Sequence, residues 1–370
     1  MSEPVCRACR ARTGYLVLDL GQQPASDYFP RRDDPGPDPE YPLRMWLCSQ
    51  CGLAQLAEDP TVPEEPRGAE PAALVAQAAD AVSRVAAAGL LPDGGSVAEY
   101  GSPHGGSWLD LLADRGLKQA GGHERADVVV DCFGMMHAAD QAGALADRAA
   151  RVADGGTLLL QYHSLDTIIR YGQWNALRHG HYAYYSTTAL VAMLARTGFS
   201  VRTAWRFELY GGTILLAAGR DSDVQAAPDD SVQSLLAGEA KTGVRDPAAL
   251  GGLQRSSLAR ANGLRQWLIA ERSAGRIVLG YGAASRSVAL LRSAGVDRGL
   301  LPAIADASPA KQGLRMPGTD IPVVGPAQLV DQRPDSVLLF VSDLRAEVSA
   351  SYPEIEATGG RWVDADALSS

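Results

Sequence analysis

Two Cys-x-x-Cys pairs near the start of the chain constrain its fold more than any other feature. Cys6 and Cys9 form the first pair, and Cys48 and Cys51 form the second. Four thiolates in two such pairs are typical of a tetrahedral Zn²⁺ site. A closed site of this kind leaves no position for water, so its predicted role is structural. The alternatives are a redox-active dithiol and unpaired cysteines.

The two pairs define a zinc-binding module at residues 1–60. The insert between them is longer than in a compact zinc ribbon and leaves room for strands at residues 15–20 and 43–47. Residues 59–72 are rich in Pro and Glu, which predicts a linker. The fifth cysteine, Cys132, lies in an apolar stretch and is predicted to be a small buried hydrophobic residue.

Two later segments have the pattern of strand, glycine loop and helix that opens a nucleotide-binding α/β unit. The first has its glycine loop at residues 101–106, and the second at residues 280–285. A glycine loop alone is a weak signal, but strands and helices alternate after both. We therefore predict an α/β protein with two further domains, at residues 61–220 and 221–370. Residues 220–250 are predicted to be a linker with a short helix, and residues 346–358 a final helix.

Length and charge exclude several classes of protein. A chain of 370 residues is too long for one ordinary core. The net charge is −9 with no basic stripe, so no nucleic-acid partner is expected. There is no apolar run near the roughly 18–20 residues that span a bilayer, so no membrane partner is expected. The first residues lack a basic and an apolar region of a signal peptide, which predicts a cytoplasmic protein.

The segment Arg-His-Gly-His-Tyr-Ala-Tyr-Tyr-Ser at residues 178–186 contains the predicted catalytic residues. His181 or His179 could act as a general base, because imidazole titrates near neutral pH. Tyr182 and Tyr184 could orient a substrate or carry protons. Arg178 could hold a phosphate or stabilise an enolate. The alternative is a surface turn with two solvated histidines.

The other histidines are predicted to have smaller roles. His104 and His123 are expected in solvated loops, and His137 at the start of a helix. His163 follows a strand that ends at Tyr162, so whether it faces a cleft stays open.

Several motifs follow one another along the chain. They are Leu18-Asp19-Leu20-Gly21 with Gln23-Pro24, Tyr41-Pro42-Leu43, Glu99-Tyr100-Gly101-Ser102, the His179/His181 loop with Tyr184 and Ser186, Gly211-Gly212-Thr213, Gly280-Tyr281-Gly282-Ala283, and Asp306, Pro309, Lys311 and Gly313 followed by Pro317-Gly318-Thr319. In kind and order they resemble the motifs of the sugar C-methyltransferases of deoxysugar biosynthesis, which act on nucleotide-linked keto-sugars.

The resemblance implies a role for each part of the chain. The middle domain would be a methyltransferase-like Rossmann domain, in which Glu99, Gly101 and Gly105 bind the amino-acid part of S-adenosylmethionine. The C-terminal Rossmann-like domain would bind the nucleotide of a sugar substrate, by family analogy a dTDP-sugar. Its substrate-binding residues would be Tyr281, Gly282, Ala283, Arg286, Asp306 and Lys311. Lys311 could instead pin the loop, and Tyr281 could simply pack. His181 matches the histidine proposed to remove the proton next to the sugar ketone.

The sequence departs from that family where the methyl donor should bind. Only about 25 residues separate Gly101 from Asp127, an interval that should hold a second strand, a helix and a third strand. The second strand normally ends in an acidic residue that binds the cofactor ribose. Residues 118–125 are instead predicted to be a short hydrophilic loop. The methyltransferase-like domain is therefore predicted to be shortened, and S-adenosylmethionine binding is doubtful.

Smaller departures affect three other segments. Gly180 replaces the acid of the family's His-x-His loop, and Arg178 replaces the tyrosine before it. Pro103 and His104 stand where Asn and Asp are usual, and the Pro/Glu linker replaces an aromatic segment.

Three functions remain in view. The first is an isomerase, an epimerase or a ring-form mutase that moves protons on a nucleotide-linked sugar without S-adenosylmethionine. The second is a C-methyltransferase with a reduced cofactor site. The third is a non-catalytic partner that holds a sugar nucleotide.

Overall fold

The computed structural model describes residues 4–34, 36–61, 70–101, 105–220 and 228–368. Most of the Pro/Glu linker, together with Pro103 and His104, lies outside these residues. Within them, no helix is long and apolar enough to cross a membrane.

The strands form three separate sheets. In chain order they are β1 (Gly14–Pro24), β2 (Glu40–Cys48), β3 (Ala54–Leu56), β4 (Ser96–Tyr100), β5 (Lys118–Gln119), β6 (Ala126–Cys132), β7 (Val152–His163), β8 (Ala183–Tyr184), β9 (Phe199–Phe207), β10 (Thr213–Arg220), β11 (Val278–Tyr281), β12 (Ile304–Ala305), β13 (Val323–Val324), β14 (Ser336–Leu339) and β15 (Arg361–Asp364). The helices are α1 (Ala72–Ala87), α2 (Leu109–Ala113), α3 (Gln141–Arg151), α4 (Leu165–Arg170), α5 (Thr187–Ala195), α6 (Asp230–Thr242), α7 (Pro247–Leu250), α8 (Gly252–Ser273), α9 (Ser285–Ala294), α10 (Pro326–Asp331), α11 (Arg345–Ser351) and α12 (Glu354–Ala357).

The first sheet has the order β1-β2-β3-β8 and is antiparallel throughout. Its first three strands belong to the zinc-binding module. The fourth, β8, comes from the loop that contains the two neighbouring histidines. The sequence pattern did not predict this pairing, because β8 has only two residues and its partner is far away along the chain.

The second sheet has the order β5-β4-β6-β7-β10-β9. Strands β5, β4, β6 and β7 are parallel, and β10 and β9 form an antiparallel hairpin at one edge, as predicted. Helices cover both faces, which explains why β6 is buried along almost its whole length. The predicted hydrophilic loop at residues 118–125 is wrong in one respect, because Lys118–Gln119 pair with β4. This strand ends beside Ala120 and has no acidic residue at its end.

The third sheet has the order β13-β12-β11-β14-β15 and is entirely parallel. The chain runs outward from β11 in one direction and then in the other, so a switch point lies between β11 and β14. The predicted final helix is two helices, α11 and α12. Pro353 lies between them and interrupts the helix, because proline lacks the N–H that a continuous helix needs.

The predicted linker at residues 220–250 is largely helical in its described part. The buried Glu239 on α6 accepts hydrogen bonds from the backbone N–H groups of Thr187 and Thr188, at 2.6 and 2.8 Å. A carboxylate stabilises the N-terminus of a helix by satisfying its unpaired donors. Helix α6 is therefore part of the packing of α5.

One continuous hydrophobic core joins the zinc-binding module to the C-terminal helices. Leu18 and Leu43 of the module share this core with Leu264 on α8 and Leu290 on α9. A buried ion pair between Arg315 and Asp38 adds a second connection, with Nη2 and Oδ1 2.6 Å apart. The module is therefore packed into the body of the protein.

Candidate functional site

A cavity of about 340 Å³ lies between the second and third sheets. The C-terminal ends of β6, β7, β11 and β12 lie around it, where ligands bind in open α/β sheets. Its volume is at the lower end of the usual range for small-molecule sites. The predicted site residues that line it are Gly105, Arg178, His181, Tyr184, Tyr281, Gly282, Arg286, Asp306 and Lys311.

Two residues predicted to be catalytic lie outside the cavity wall. His179 is buried, its Nε2 is 3.3 Å from the carbonyl oxygen of Pro42, and its ring packs edge-on against Tyr41. Tyr182 packs its ring under the guanidinium of Arg7, 4.7 Å from the ring centroid. Both side chains contact the zinc-binding module, so their contribution is to hold the loop.

Two residues predicted to bind the cofactor also lie outside the cavity wall. Glu99 accepts hydrogen bonds from the hydroxyl of Ser107 and the backbone N–H of Trp108, at 2.7 and 2.6 Å. Its carboxylate is therefore used to hold the start of α2. Among the described residues, which exclude 102–104, no atom apart from the chain neighbours lies within 4 Å of a Cβ added to Gly101.

His181 and Arg178 form a direct hydrogen bond at the cavity wall. Arg178 Nε donates to His181 Nε2 at 2.8 Å. Because a guanidinium only donates, this imidazole nitrogen has no proton and His181 is neutral. The hydroxyl of Tyr184 lies 3.1 Å from the backbone N–H of Arg178 and fixes its position. Burial raises the pKa of Tyr184, so its phenol stays protonated at neutral pH.

Gly180 is held from two sides. Its N–H donates to Asp59 Oδ2 at 2.7 Å, and its carbonyl oxygen is 3.1 Å from His137 Nδ1. The φ angle is +79°, and an added Cβ would lie 3.0 Å from Asp27 Oδ2. A side chain at this position would therefore be strained and crowded. The ring of His137, which ends a short 3₁₀ helix, meets the ring of His181 edge-on with centroids 4.6 Å apart.

His163, whose orientation the sequence left open, lines the cavity. Its Nε2 lies 3.0 Å from Gln173 Oε1, and Gln173 Nε2 points to the carbonyl oxygen of Tyr210 at 3.4 Å. Burial lowers the pKa of His163 to about 4, so it is neutral at physiological pH. An added Cβ on Gly211 would lie 2.5 Å from Gln173 Nε2, which explains one glycine of the Gly-Gly-Thr motif.

Phe133 and Tyr210 form an aromatic part of the cavity wall that the sequence did not reveal. Both are non-glycine residues with positive φ, +60° and +56°. Their rings meet edge-on with centroids 5.8 Å apart. Such backbone conformations persist only where the surroundings enforce them, and they cluster at functional sites. No residue pattern predicts them, since both residue types prefer negative φ.

On the side of the third sheet, Arg286 lies in the first turn of α9. Its guanidinium pairs with Asp343, and its Nε donates to the carbonyl oxygen of Phe340 at 3.1 Å. This pair lies at the switch point between β11 and β14. Gly282 has φ +90°, and an added Cβ would lie 2.9 Å from Val341.

Asp306 and Lys311 support the glycine loop that follows β11. Asp306 Oδ2 accepts from the N–H of Ala283 at 2.8 Å, and Lys311 Nζ donates to the carbonyl oxygen of the same residue at 3.0 Å. Ala283, predicted to bind substrate, is thus held within the loop and does not line the cavity. These contacts favour a pinning role for Lys311. Tyr281 lines the cavity and also packs against Tyr352, with ring centroids 5.6 Å apart.

The four cysteines of the two pairs come together in a cluster that fits a zinc ion. All four sulfur atoms lie within 4.8 Å of one another. The Sγ atoms of Cys6 and Cys51 are 3.5 Å apart, and those of Cys9 and Cys48 are 3.6 Å apart. A tetrahedron with Zn–S bonds of about 2.3 Å has edges of about 3.8 Å. Hydrogen bonding with Cys51 lowers the pKa of Cys6, which favours a thiolate.

Comparison with known proteins agrees with this three-part structure. A zinc binding domain matches residues 6–65, a methyltransferase domain matches residues 72–204, and a C-methyltransferase C-terminal domain matches residues 208–365. The chain therefore matches, in order along its sequence, the three domains of such C-methyltransferases, and the predicted resemblance is confirmed.

Among curated proteins, C-methyltransferase NovU of Streptomyces niveus is 24% identical over 406 residues, which cover 97% of this chain and 94% of that protein. Among solved structures, magnesium protoporphyrin IX methyltransferase from Synechocystis PCC 6803 has a TM-score of 0.30 at 13% identity, covering 40% of this chain and 84% of that chain. The amino pentose methyltransferase CalS10 from Micromonospora echinaspora has a TM-score of 0.28 at 16% identity, covering 39% and 91%.

Proposed function

We propose that the protein binds a nucleotide-linked keto-sugar in the cavity and moves a proton on the sugar without S-adenosylmethionine. The product would be an epimer, a tautomer or a ring-form isomer of the substrate. The observation that carries this proposal is the difference between the two sheets that face the cavity. The third sheet is complete on both sides of its switch point, while the second has only two residues in the strand beside β4.

The third sheet has the features that a nucleotide diphosphate requires. The crevice at the switch point is open to the cavity, and the N-terminus of α9 adjoins it. Backbone N–H groups at a helix N-terminus favour anions. Gly282 lets the backbone approach a ligand closely, and Arg286 lines the same wall. The sugar would then extend toward the wall that contains His181.

On that wall, His181 would act as the base through Nε2, once the keto oxygen of the sugar replaces this nitrogen as the acceptor of the Arg178 hydrogen bond. It would take the proton from the carbon next to the ketone, and the electron pair of that C–H bond would form an enolate with its charge on the carbonyl oxygen. The guanidinium of Arg178 would stabilise this charge. Return of the proton to the opposite face of the carbon, or to a neighbouring carbon, completes the reaction without another reactant. The protonated His181 and the guanidinium of Arg178 would be two neighbouring positive charges, and their repulsion would favour return of the proton.

His163 would contribute as a neutral hydrogen-bonding group. Because its Nε2 donates to Gln173 Oε1, its other ring nitrogen is an acceptor, suited to a hydroxyl of the sugar. Its low pKa keeps it in that form throughout the physiological range. This residue would orient the substrate, and His181 would react with it.

The second sheet argues against a full cofactor site. The short β5 provides no carboxylate for the cofactor ribose, and Glu99 is occupied at the start of α2. Losing a hydrogen bond between a charged group and the ribose costs about 1.5–3 kcal/mol. Since 1.4 kcal/mol is about tenfold in affinity, the loss is about 10- to 100-fold or more.

A network of side chains also joins α3 to the C-terminal ends of β4 and β6. The guanidinium of Arg148 on α3 lies 4.1 Å from the centroid of the Tyr100 ring, and its Nε is 2.5 Å from the buried Asp131. Tyr100 ends β4, and Asp131 is the penultimate residue of β6.

Methyl transfer to the same carbon is the alternative function. Family membership favours it, and so does the position of Gly105, Phe133 and Met136, which line the cavity beside the first glycine loop. This alternative would require S-adenosylmethionine to bind there with its amino-acid part alone held firmly.

A deuterium-exchange assay separates these functions. The protein is incubated in deuterium oxide with a dTDP-linked keto-deoxysugar, with and without S-adenosylmethionine, and the sugar is followed by NMR. We expect deuterium beside the ketone, and a rearranged sugar, in the absence of the methyl donor. A methylated product formed only with the donor would establish the alternative. Tight binding of the sugar nucleotide with no exchange would indicate a non-catalytic partner.

A further inference from the structure

The loop that contains His181 is attached to the zinc-binding module by backbone pairing. Strand β8 pairs with β3 through Ala54 with Tyr184 and Gln55 with Ala183. In the described part of the chain, β8 is the edge strand of this sheet and β3 is its neighbour. The N–H of Leu56 also donates to the carbonyl oxygen of Tyr182 at 3.2 Å. The residues that follow His181 are thus attached to the module, and the N–H of Tyr182 also donates to the carbonyl oxygen of Met136 at 2.8 Å.

The residue before His181 is attached to the module by a side chain. Asp59 Oδ2 accepts the N–H of Gly180 at 2.7 Å. The other oxygen, Oδ1, accepts from the backbone N–H and the hydroxyl of Thr61 at 3.0 and 2.6 Å, which fixes the carboxylate. Glycine at positive φ has great conformational freedom, so this fixed acceptor, together with His137 at the Gly180 carbonyl oxygen, limits the positions that His181 can take.

The predicted metal ligands lie directly behind these contacts. Cys48 ends β2, and Cys51 lies three residues before β3. Across the turn between them, the N–H of Cys48 donates to the carbonyl oxygen of Leu53 at 3.0 Å. From the other cysteine pair, Arg7 donates its backbone N–H to Gln55 Oε1 at 2.8 Å. A bound zinc ion would therefore fix β3 through contacts from both cysteine pairs.

We propose that the zinc-binding module is the scaffold of the loop, with Asp59 as a positioning residue, so that metal loading determines where His181 stands in the cavity. The role of His181 as base rests on the proposed function. The attachment of the loop to the module does not. Misplacing a reacting group by about 1 Å can cost about 100-fold in rate, so a loosened loop should lower kcat while nucleotide binding to the third sheet persists.

Hydrogen–deuterium exchange mass spectrometry on the full-length, zinc-loaded protein tests this without a substrate. In Asp59→Ala, amides in residues 178–185 should exchange roughly tenfold faster, because the Gly180 N–H loses its acceptor. Asp59→Asn keeps an oxygen that accepts, and should stay close to the parent protein. The neighbouring Glu58→Gln is the matched control, since the Glu58 carboxylate pairs with Arg44. Unchanged exchange in Asp59→Ala would overturn the proposal.

Metal removal gives the second test. As a chelator withdraws zinc, measured with a colorimetric indicator, exchange at residues 178–185 should rise together with metal release, and before exchange in residues 278–290 of the third sheet rises. Full protection of the loop after release of the metal would contradict the scaffold role. If the proton-transfer assay shows activity, Asp59→Ala should lower kcat by about 10- to 100-fold with KM little changed. If that assay fails for every variant, the exchange data still decide the positioning role.

Discussion

The second and third sheets begin alike and differ in what surrounds their first strand. Each opens with an apolar strand, a glycine loop and a helix. In the third sheet, β11 has two strands on each side, which creates a crevice at the switch point. In the second sheet, β4 has four strands on one side and only the two-residue β5 on the other. The same opening motif is therefore followed by strands on both sides in one domain and almost entirely on one side in the other.

The two glycine loops also differ in how closely the surrounding residues pack against them. Gly282 needs its positive φ and the space beside Val341, so glycine is required by the structure there. At Gly101, no atom of the described residues, which leave out 102–104, lies within 4 Å of an added Cβ. A glycine loop alone thus did not show how closely the rest of the structure packs against it.

The largest effect should come from substitution of His181, because it should affect proton exchange and leave nucleotide binding on the third sheet unaffected, as proposed. In His181→Ala, proton exchange on the keto-sugar should fall by about 10²- to 10⁴-fold, the usual contribution of a general base. Nucleotide binding, measured by isothermal titration calorimetry, should change little because the proposed nucleotide site lies on the third sheet. If the His181→Ala protein is still active, His181 is not the base.

A pair of glycine substitutions tests the comparison directly. Gly282→Ala should weaken sugar-nucleotide binding at least about tenfold, since a strained residue at positive φ costs about 1–3 kcal/mol and the new methyl group would meet Val341. Gly101→Ala, the matched change in the other loop, should leave binding and turnover within about twofold. A strong loss of turnover in Gly101→Ala would show that a ligand approaches the first loop closely and would restore the methyltransferase alternative.

His163 allows a test of the cavity wall by pH. An unfolded histidine has a pKa of about 6.5, while burial lowers the pKa of His163 in the folded protein to about 4. Between these two pKa values, the imidazole binds a proton in the unfolded chain and does not bind one in the folded protein. The free energy of unfolding should therefore fall as the pH decreases from about 6.5 to about 4. In His163→Gln, the decline of Tm over this range should be shallower. Substitution of the exposed His123 by Gln is the control, and equal pH profiles for all three proteins would contradict the burial of His163.

The smallest expected effect is the response to S-adenosylmethionine. At 1 mM, a ligand with a Kd of about 1 mM adds only about 0.4 kcal/mol to the free energy of unfolding. A ligand whose Kd is about a hundredth of its concentration adds about 2.7 kcal/mol. Thermal unfolding should therefore show almost no shift with S-adenosylmethionine and a clear shift with a dTDP-sugar. A large shift with the methyl donor would show that the second sheet still forms a working cofactor site.

Local patterns predicted much of this molecule because they reflect local physics. The cysteine pairs predicted the metal cluster, the alternation of strands and helices predicted the α/β class, and the short interval after Gly101 predicted a reduced sheet. The errors came from contacts between distant segments. The polar stretch that contains α6 looked like a linker until the position of Glu239 beside Thr187 showed what it packs against.

The candidate site shows the same division. Residue type and short spacing were enough to predict the neighbouring histidines, the glycine loops and the cysteine pairs. The packed structure was needed to show that His181 faces the cavity while His179 faces Pro42, and that His163 is held by Gln173. It also decided that Asp59 of the zinc-binding module holds Gly180. These contacts join residues from different elements, and their positions follow from packing that no short stretch of sequence contains.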